Sequence, residues 1–457
     1  MGKSDKRTIF VCQQCGKESP KWLGRCPDCQ QWNSFAETVV TAPVAPSRPV
    51  PLTSPPQELS RVTIEATDRF PLSLGEFNRV LGGGLVSGSL VLISGDPGIG
   101  KSTLLLQASA SVAQDKGGKV VYISGEETQH QIKLRSERLE VKGERLYLLA
   151  ETDLEVILNQ IEQLSPSLVV IDSIQTVYIP ELDATPGSVT QVRECTLKLM
   201  QWAKLNAVPI FIAGHVTKDG TIAGPRVLEH IVDVVLYLEG EPFSAYRLLR
   251  CVKNRFGSTN EVGVFEMKGQ GLVEVDNPSR AFLSQRWGEA MGSTVVPTLE
   301  GSRPLLVEIQ ALTTPTSFGL PRRTANGVDF NRLLLITAVL TKRVGLRLGN
   351  QDIIVNVTGG LKIGEPAADL GIALSIASSF RDVGVDPSLV VVGEVGLSGE
   401  LRAVSQLERR VAEATRLGFK RCLVPKVGAR VSAKDVELIP VSTLREAVGV
   451  GLVRGSK

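Results

Sequence analysis

Residues 95–103 read G-D-P-G-I-G-K-S-T and directly follow the apolar run L-V-L-I-S. A buried strand, a tight loop and a helix must therefore succeed one another here, an arrangement found in sheets covered by helices on both faces. Side chains at Gly95, Gly98 or Gly100 would keep backbone N–H groups from wrapping phosphate oxygens, and the helix opening at Lys101 adds its positive end. The cradle comprises Gly95, Asp96, Pro97, Gly98, Ile99, Gly100, Lys101, Ser102 and Thr103. Its spacing assigns Lys101 to the β and γ phosphates of a nucleoside triphosphate, ATP, and the Ser102 hydroxyl to Mg2+.

Five further apolar runs alternate with helix-length stretches: K-V-V-Y-I-S, S-L-V-V-I-D, V-P-I-F-I-A-G, V-D-V-V-L-Y-L and Y-R-L-L-R-C-V-K. This pattern predicts an α/β domain over residues 61–275 built on a mostly parallel sheet. Ligands of such sheets sit at the carboxyl ends of the strands, so chemistry is expected there. Asp172 ends S-L-V-V-I-D and is expected to hold Mg2+ through water. Glu126 and Glu127 follow Y-I-S-G; Glu126 is taken as the residue that orients and deprotonates the attacking water, with Glu127 left as the alternative. His215 ends a third strand, either as a sensor of the γ-phosphate or as a solvated loop histidine.

At 457 residues the chain exceeds a single core. Its 42% hydrophobic and 22% charged content suits a globular protein, and no apolar run reaches the roughly 18 residues of a membrane span. The N-terminus lacks a secretory signal pattern, so the cytoplasm is the expected location. A net charge of +3 neither demands nor excludes nucleic acid. Four of the seven cysteines lie in the pattern C-x2-C-x10-C-x2-C: Cys12, Cys15, Cys26 and Cys29. Two thiolate pairs at this spacing predict a closed structural Zn2+ site in a module over residues 1–40, with Gly16 and Gly24 in the knuckle turns. Lys17, Lys21, Trp22, Arg25 and Trp32 could contact DNA, dock on a protein, or simply form the module's surface and core. Residues 41–60 are dense in proline and predict an extended tether. After the turn signal D-N-P-S, residues 280–457 predict a third, α/β domain, with helices at residues 329–343, 367–380 and 405–417.

The strings L-G-G-G-L-V-S-G-S-L-V-L-I-S-G-D-P-G-I-G-K-S-T, Y-I-S-G-E-E and L-V-V-I-D-S-I-Q resemble the RecA-type ATPase core. With the four-cysteine module and K-N-R-F-G at residues 253–257, the chain resembles, over essentially its whole length, the bacterial RadA (Sms) family of DNA repair and recombination proteins. That resemblance implies a hexameric, ring-forming ATPase and DNA helicase. It would act on single-stranded and branched DNA with the RecA recombinase and drive branch migration. In K-N-R-F-G, Lys253 and Arg255 alternate at a strand end, so both can reach a neighbouring subunit's γ-phosphate. Loops at residues 177–193 and 218–226, with Lys218 and Arg226, are expected DNA contacts or ordinary surface loops.

The C-terminal domain resembles the proteolytic domain of Lon, with a decisive departure. The position of Lon's nucleophilic serine falls on Ala367, and that of its partner lysine on Glu408, so peptidase activity is not expected. Ser375 and Ser405 are its other candidate serines. Arg322, Arg323, Lys342, Arg343 and Arg347 form either a DNA platform or a solvated basic face. Two rival readings remain: an ATP-dependent protease, opposed by Ala367 and Glu408, and a RecA-fold regulatory ATPase of the circadian-clock type, which leaves the zinc module and K-N-R-F-G without a role.

Overall fold

The computed structural model describes residues 6–41, 58–61, 69–115, 118–215, 225–241, 244–283, 290–317, 319–427 and 435–452. The chain divides into two compact units, Met1–Glu239 with Arg247–Glu274, and Gly240–Tyr246 with Val275–Lys457. Of the proline-rich stretch at 41–60, residues 42–57 lie outside the described residues.

The first unit begins with a three-stranded sheet in the order β2-β1-β3, formed by β1 (Lys6–Cys12), β2 (Glu18–Ser19) and β3 (Phe35–Thr41). A two-stranded antiparallel pair follows, β4 (Arg69–Phe70) and β5 (Leu85–Val86). The body of the unit is a nine-stranded sheet ordered β14-β13-β12-β11-β6-β10-β9-β7-β8. Its members are β6 (Leu90–Gly95), β7 (Val120–Ser124), β8 (Leu146–Ala150), β9 (Leu168–Asp172), β10 (Ile210–His215), β11 (Val234–Glu239), β12 (Tyr246–Asn254), β13 (Val262–Lys268) and β14 (Gly271–Glu274).

Strands β8, β7, β9, β10, β6 and β11 run parallel. Strand β12 pairs antiparallel with β11, and β14 with β13. The parallel strands read as unbroken apolar runs because successive residues feed two different cores. On one face lie Val91, Ile93, Tyr122, Val170 and Phe211, packed with Leu104 and Leu105 of the helix Lys101–Asp115. On the other lie Leu90, Leu92, Ile123, Ile171 and Ile212, packed with Ile157, Ile161 and Leu199 of the helices Leu154–Leu164 and Val189–Asn206. Both faces are thus dry, which a polar-out strand could not tolerate.

The second unit holds a seven-stranded sheet ordered β17-β18-β16-β15-β19-β22-β23. Strand β16 (Arg303–Pro315) pairs antiparallel with both β15 (Ser293–Glu300) and β18 (Gln351–Val357); β17 (Arg323–Asn326) runs parallel to β18. Strands β19 (Leu389–Val391), β22 (Arg421–Pro425) and β23 (Glu437–Val441) are parallel, and β20 (Glu394–Val395) pairs with β21 (Leu401–Arg402). Helices at Phe330–Val339, Asp369–Arg381 and Leu407–Arg416 occupy the three stretches expected to be helical.

Several charges lie deep in this unit, Arg410 the deepest. Arg410 is fully buried, and its guanidinium donates to both oxygens of Glu365 at 2.7 and 2.5 Å and to the carbonyls of Pro297 and Ser405. Glu365 also accepts from the Thr298 hydroxyl and the Leu299 N–H, so the pair ties β15 to two helix starts. Arg410→Met would strand this carboxylate and two carbonyls. It is expected to destabilise the second unit by roughly 3 kcal/mol, at the low end for a broken buried pair because Glu365 keeps some solvent access. Urea unfolding followed by circular dichroism measures it, and an unchanged midpoint would show that the pair does not hold the fold.

Candidate functional site

Strand β6 is buried along its whole length and delivers Gly95 to the carboxyl edge of the sheet. A Cβ on Gly95 would stand 2.3 Å from the Leu238 carbonyl oxygen, so the loop can start only from a glycine. Gly98 adopts φ +76° with open space around its Cα, as a loop whose backbone meets a ligand requires. The turn is closed by Ile99 N–H donating to the Asp96 carbonyl (3.3 Å) and Leu104 N–H donating to that of Gly100 (2.9 Å). Lys101 is 4% exposed, and its ammonium donates to the carbonyls of Gly95 (2.9 Å) and Asp96 (3.0 Å). Burial lowers its pKa, while attraction from Asp172, Asp96 and Glu126 opposes that shift. A buried ammonium whose partners among the described residues are neutral carbonyls is poised for an anion.

The acidic residues gather at the same edge. Asp172 ends β9 level with Ser124 of β7, and its Oδ2 accepts a 2.5 Å hydrogen bond from the Tyr122 hydroxyl. Burial, then the neighbouring Asp172 charge, raises the Tyr122 pKa, so the phenol stays a donor. Glu126 and Glu127 part company here. Glu127 forms an ion pair with Arg135, whereas Glu126 is exposed, accepts from the Ser173 hydroxyl at 2.5 Å, and contributes to the field on Lys101. His215 of β10 is level with Gly95 of β6, which places its backbone beside the loop; its side chain lies outside the described residues. Arg247, not singled out in the sequence, donates its Nε to the Ile99 carbonyl at 3.3 Å. Only the strand pairing that brings β12 near the loop reveals it.

Lys253 and Arg255 stand elsewhere. Strand β12 carries a bulge opposite Val235 and Leu236, and ends at Asn254, so Arg255 lies one residue past the strand instead of alternating along it. Both cations nevertheless gather near Asp233. Lys253 donates to the carbonyls of Glu229 (2.6 Å) and Val232 (2.8 Å), and the Arg255 guanidinium lies 3.7 Å from Asp233. Asp233 in turn accepts from the Leu90 N–H at 3.1 Å, which fixes it at the amino end of β6. Burial, then repulsion from Arg255, lowers the Lys253 pKa.

In the N-terminal sheet, the four cysteine sulfurs lie within 4.8 Å of one another, with Cys12–Cys29 at 3.6 Å and Cys15–Cys26 at 3.5 Å. Sulfurs about 2.3 Å from a tetrahedral zinc would be about 3.8 Å apart, so the cluster fits Zn2+. The two knuckles share one design: Gly16 and Gln30 N–H donate to the carbonyls of Cys12 and Cys26. The second knuckle uses Gln30 at φ +60° in the place expected of Gly24. Gly24 instead lies under the Trp22 ring. Val11 joins the core of the nine-stranded sheet and Glu18 pairs with Arg193 at 3.2 Å.

Comparison with known proteins agrees with these parts. Residues 54–221 match an AAA domain family, residues 10–37 a rubredoxin metal binding domain, and residues 318–428 the subunit ChlI of Mg-chelatase. The DNA repair protein RadA of Halalkalibacterium halodurans is 56% identical over 98% of this chain and 99% of its own length. That of Bacillus subtilis is 54% identical over 98% and 99%. The chain belongs to the RadA family. A KaiC-like protein from Pyrococcus horikoshii is 21% identical, with a TM-score of 0.38 over 45% of this chain and 98% of its own. RadA membership makes the first unit a RecA-fold ATPase domain, which implies ATP with Mg2+, and the zinc ribbon supports Zn2+.

In this RadA chain the Lon-like fold persists without the Lon residues. Ala367 is buried, and Glu408 faces solvent on its helix. Two residues on, Arg410 turns inward to Glu365, so the inner position is held by an ion pair. Ser375 is fully buried between Thr294 and the Ile309 carbonyl, and Ser405 is exposed.

The expected basic surface is also thinner than its composition. Arg323 directs its guanidinium at the carbonyls of Arg322, Gln351 and Leu348, and Arg343 reaches the Leu397 carbonyl; Lys342 and Arg347 are exposed. Arg193 lies on a helix and pairs with Glu18. The loop before it is pinned by the buried Gln191 amide, which bonds Ile179, Leu182 and Ala184. Lys218 and the Arg226 side chain lie outside the described residues.

The zinc assignment is directly measurable. Cys26→Ser is expected to lose the metal from the purified protein in atomic absorption, since a ribbon this small depends on its ion to fold. Undiminished zinc would reject the four-thiolate site.

Proposed function

We propose that this chain is the subunit of a ring-shaped, ATP-driven DNA motor that acts in the cytoplasm on single-stranded and branched recombination intermediates. It would work beside the RecA recombinase by branch migration, and the proposed ring is hexameric. The observation that carries the reading is the separation of the two cationic groups. Lys101 lies at the carboxyl end of β6, whereas Lys253 and Arg255 gather around Asp233 at its amino end. Six residues of strand put about 16 Å between these ends. Lys253 and Arg255 are thus turned away from their own phosphate loop, and a neighbouring subunit's nucleotide is the natural partner for them.

In the proposed cycle, residues 95–103 hold the triphosphate and Lys101 exchanges its carbonyl partners for phosphate oxygens. Mg2+, when bound, would neutralise developing charge on the phosphates; Ser102 and Asp172 are the residues that would hold it. Glu126, held by the Ser173 hydroxyl, orients and deprotonates the attacking water. His215, level with Gly95, senses the loss of the γ-phosphate and passes it to the segment that follows. Lys253 and Arg255 supply positive charge in trans, so hydrolysis requires an assembled ring. Contacts of Lys218, Arg226, Arg322, Lys342 and Arg343 with the DNA backbone belong to the same proposal; Arg323, already engaged with three carbonyls, is its weakest member.

Lys101→Ala is expected to abolish ATP turnover, and retained hydrolysis would overturn the assignment of the loop. Lys253→Ala or Arg255→Ala should leave nucleotide binding near that of the parent chain and remove DNA-stimulated turnover. Mixed with Asp172→Ala subunits, each should regain partial activity, because one interface then carries a complete set. Mixtures no more active than the separate variants would exclude action in trans.

A further inference from the structure

Tyr122 is the one residue of the acidic edge whose type the phosphate-loop chemistry does not demand. It lies on β7 two residues before Ser124, is fully buried, and points its side chain into the core shared with Leu104 and Leu105. Its hydroxyl reaches across to the next strand and donates to Oδ2 of Asp172 at 2.5 Å. The other oxygen of Asp172, Oδ1, accepts no hydrogen bond from the described residues. A carboxylate that ends a strand has a free χ2 torsion unless something fixes it, and a buried phenol with no other acceptor can fix it. Beside it, Ser173 holds Glu126 through its own hydroxyl, so each of the two acidic groups accepts from a hydroxyl donor.

We propose that Tyr122 is a positioning residue for the magnesium-binding carboxylate: its phenol clamps Oδ2 of Asp172 and leaves Oδ1 as the oxygen offered to the ion's water. This rests on the assignment of Asp172 to Mg2+ made above. Residues that hold a metal-binding group from behind commonly govern metal affinity while never touching the metal. A phenylalanine at this position would fill the same space in the core and release the carboxylate. The effect should therefore appear in the magnesium dependence and not in the fold or in the hold of Lys101 on phosphate.

The test uses the full chain and a fluorescent probe, mant-ADP, titrated with and without Mg2+. For Tyr122→Phe, affinity for mant-ADP in EDTA is expected to match that of the parent chain. The Mg2+ concentration that half-saturates the metal-dependent fluorescence change should rise roughly tenfold. In an Asp172→Asn background, adding Tyr122→Phe should shift the Mg2+ midpoint no further. An unchanged midpoint in the single variant overturns the inference, as does an equal shift in the Asp172→Asn background, which would place the effect elsewhere. If Asp172→Asn itself leaves the Mg2+ dependence untouched, the assignment of Asp172 falls, and the role of Tyr122 falls with it. Tyr122→Trp, which keeps a donor but misplaces it, should also raise the midpoint; parent-like behaviour would show that the phenol's position is immaterial and count against the proposal.

Discussion

The buried ammonium of Lys101 is the charge on which the ATPase unit depends. Taken out of water, it is satisfied among the described residues by two loop carbonyls, Gly95 and Asp96, while three carboxylates stand near enough to pull its pKa back up. Among the described residues no ion pair to it is seen. An Asp or Glu in direct contact would neutralise the charge and close the site to phosphate. Keeping the acids one step away, on Tyr122 and on Ser173, leaves the cation available to an incoming anion. That distance is set by strand pairing, since Asp172 and Ser124 end level on neighbouring strands.

Local spacing made the main parts legible in the sequence. The phosphate loop and each Cys-x-x-Cys pair act through neighbours a few residues away in the chain, so their spacing already contains their geometry, and Asp172 is marked by the apolar strand that it ends. Partnerships made across the sheet were not legible. The bond from Tyr122 to Asp172, the one from Arg247 to Ile99, and the pairing of Glu127 with Arg135 each join segments whose adjacency follows only from strand order or helix placement. Glu126 and Glu127 are an example: adjacent glutamates are equivalent as letters, but in the fold Glu127 pairs with Arg135 while Glu126 accepts from Ser173. Gln30 in a positive-φ knuckle shows the opposite limit, because a glycine two residues from a cysteine pair looks like the better candidate until the turn itself is seen.

The second unit illustrates how a fold can outlast its chemistry. Its core does not need a serine and a lysine; it needs the space between the helix starting near Pro366 and the helix Leu407–Arg416 to be filled and its polar groups satisfied. Glu365 and Arg410 do this through their mutual pair, the Thr298 hydroxyl, the Leu299 N–H and the carbonyls of Pro297 and Ser405. Along this helix the face decides which residue does so: Leu407, Arg410 and Val411 point inward and Glu408 points to solvent.

Finally, cationic groups stand at both ends of β6, and under the proposed function that arrangement bears on why the protein would assemble. A parallel sheet places its catalytic groups at the carboxyl ends of its strands, so a cation at the amino end of β6 has no substrate of its own to meet. Lys253 and Arg255 are kept at that end against a cost: their mutual repulsion and the burial of Lys253 both lower its pKa, with only Asp233 and Glu229 in opposition. Under the proposed function, a phosphate arriving from a neighbour would add a second anion to Asp233 beside these two cations. A monomer built this way would carry one half of two different sites, and ring closure would give every half a partner.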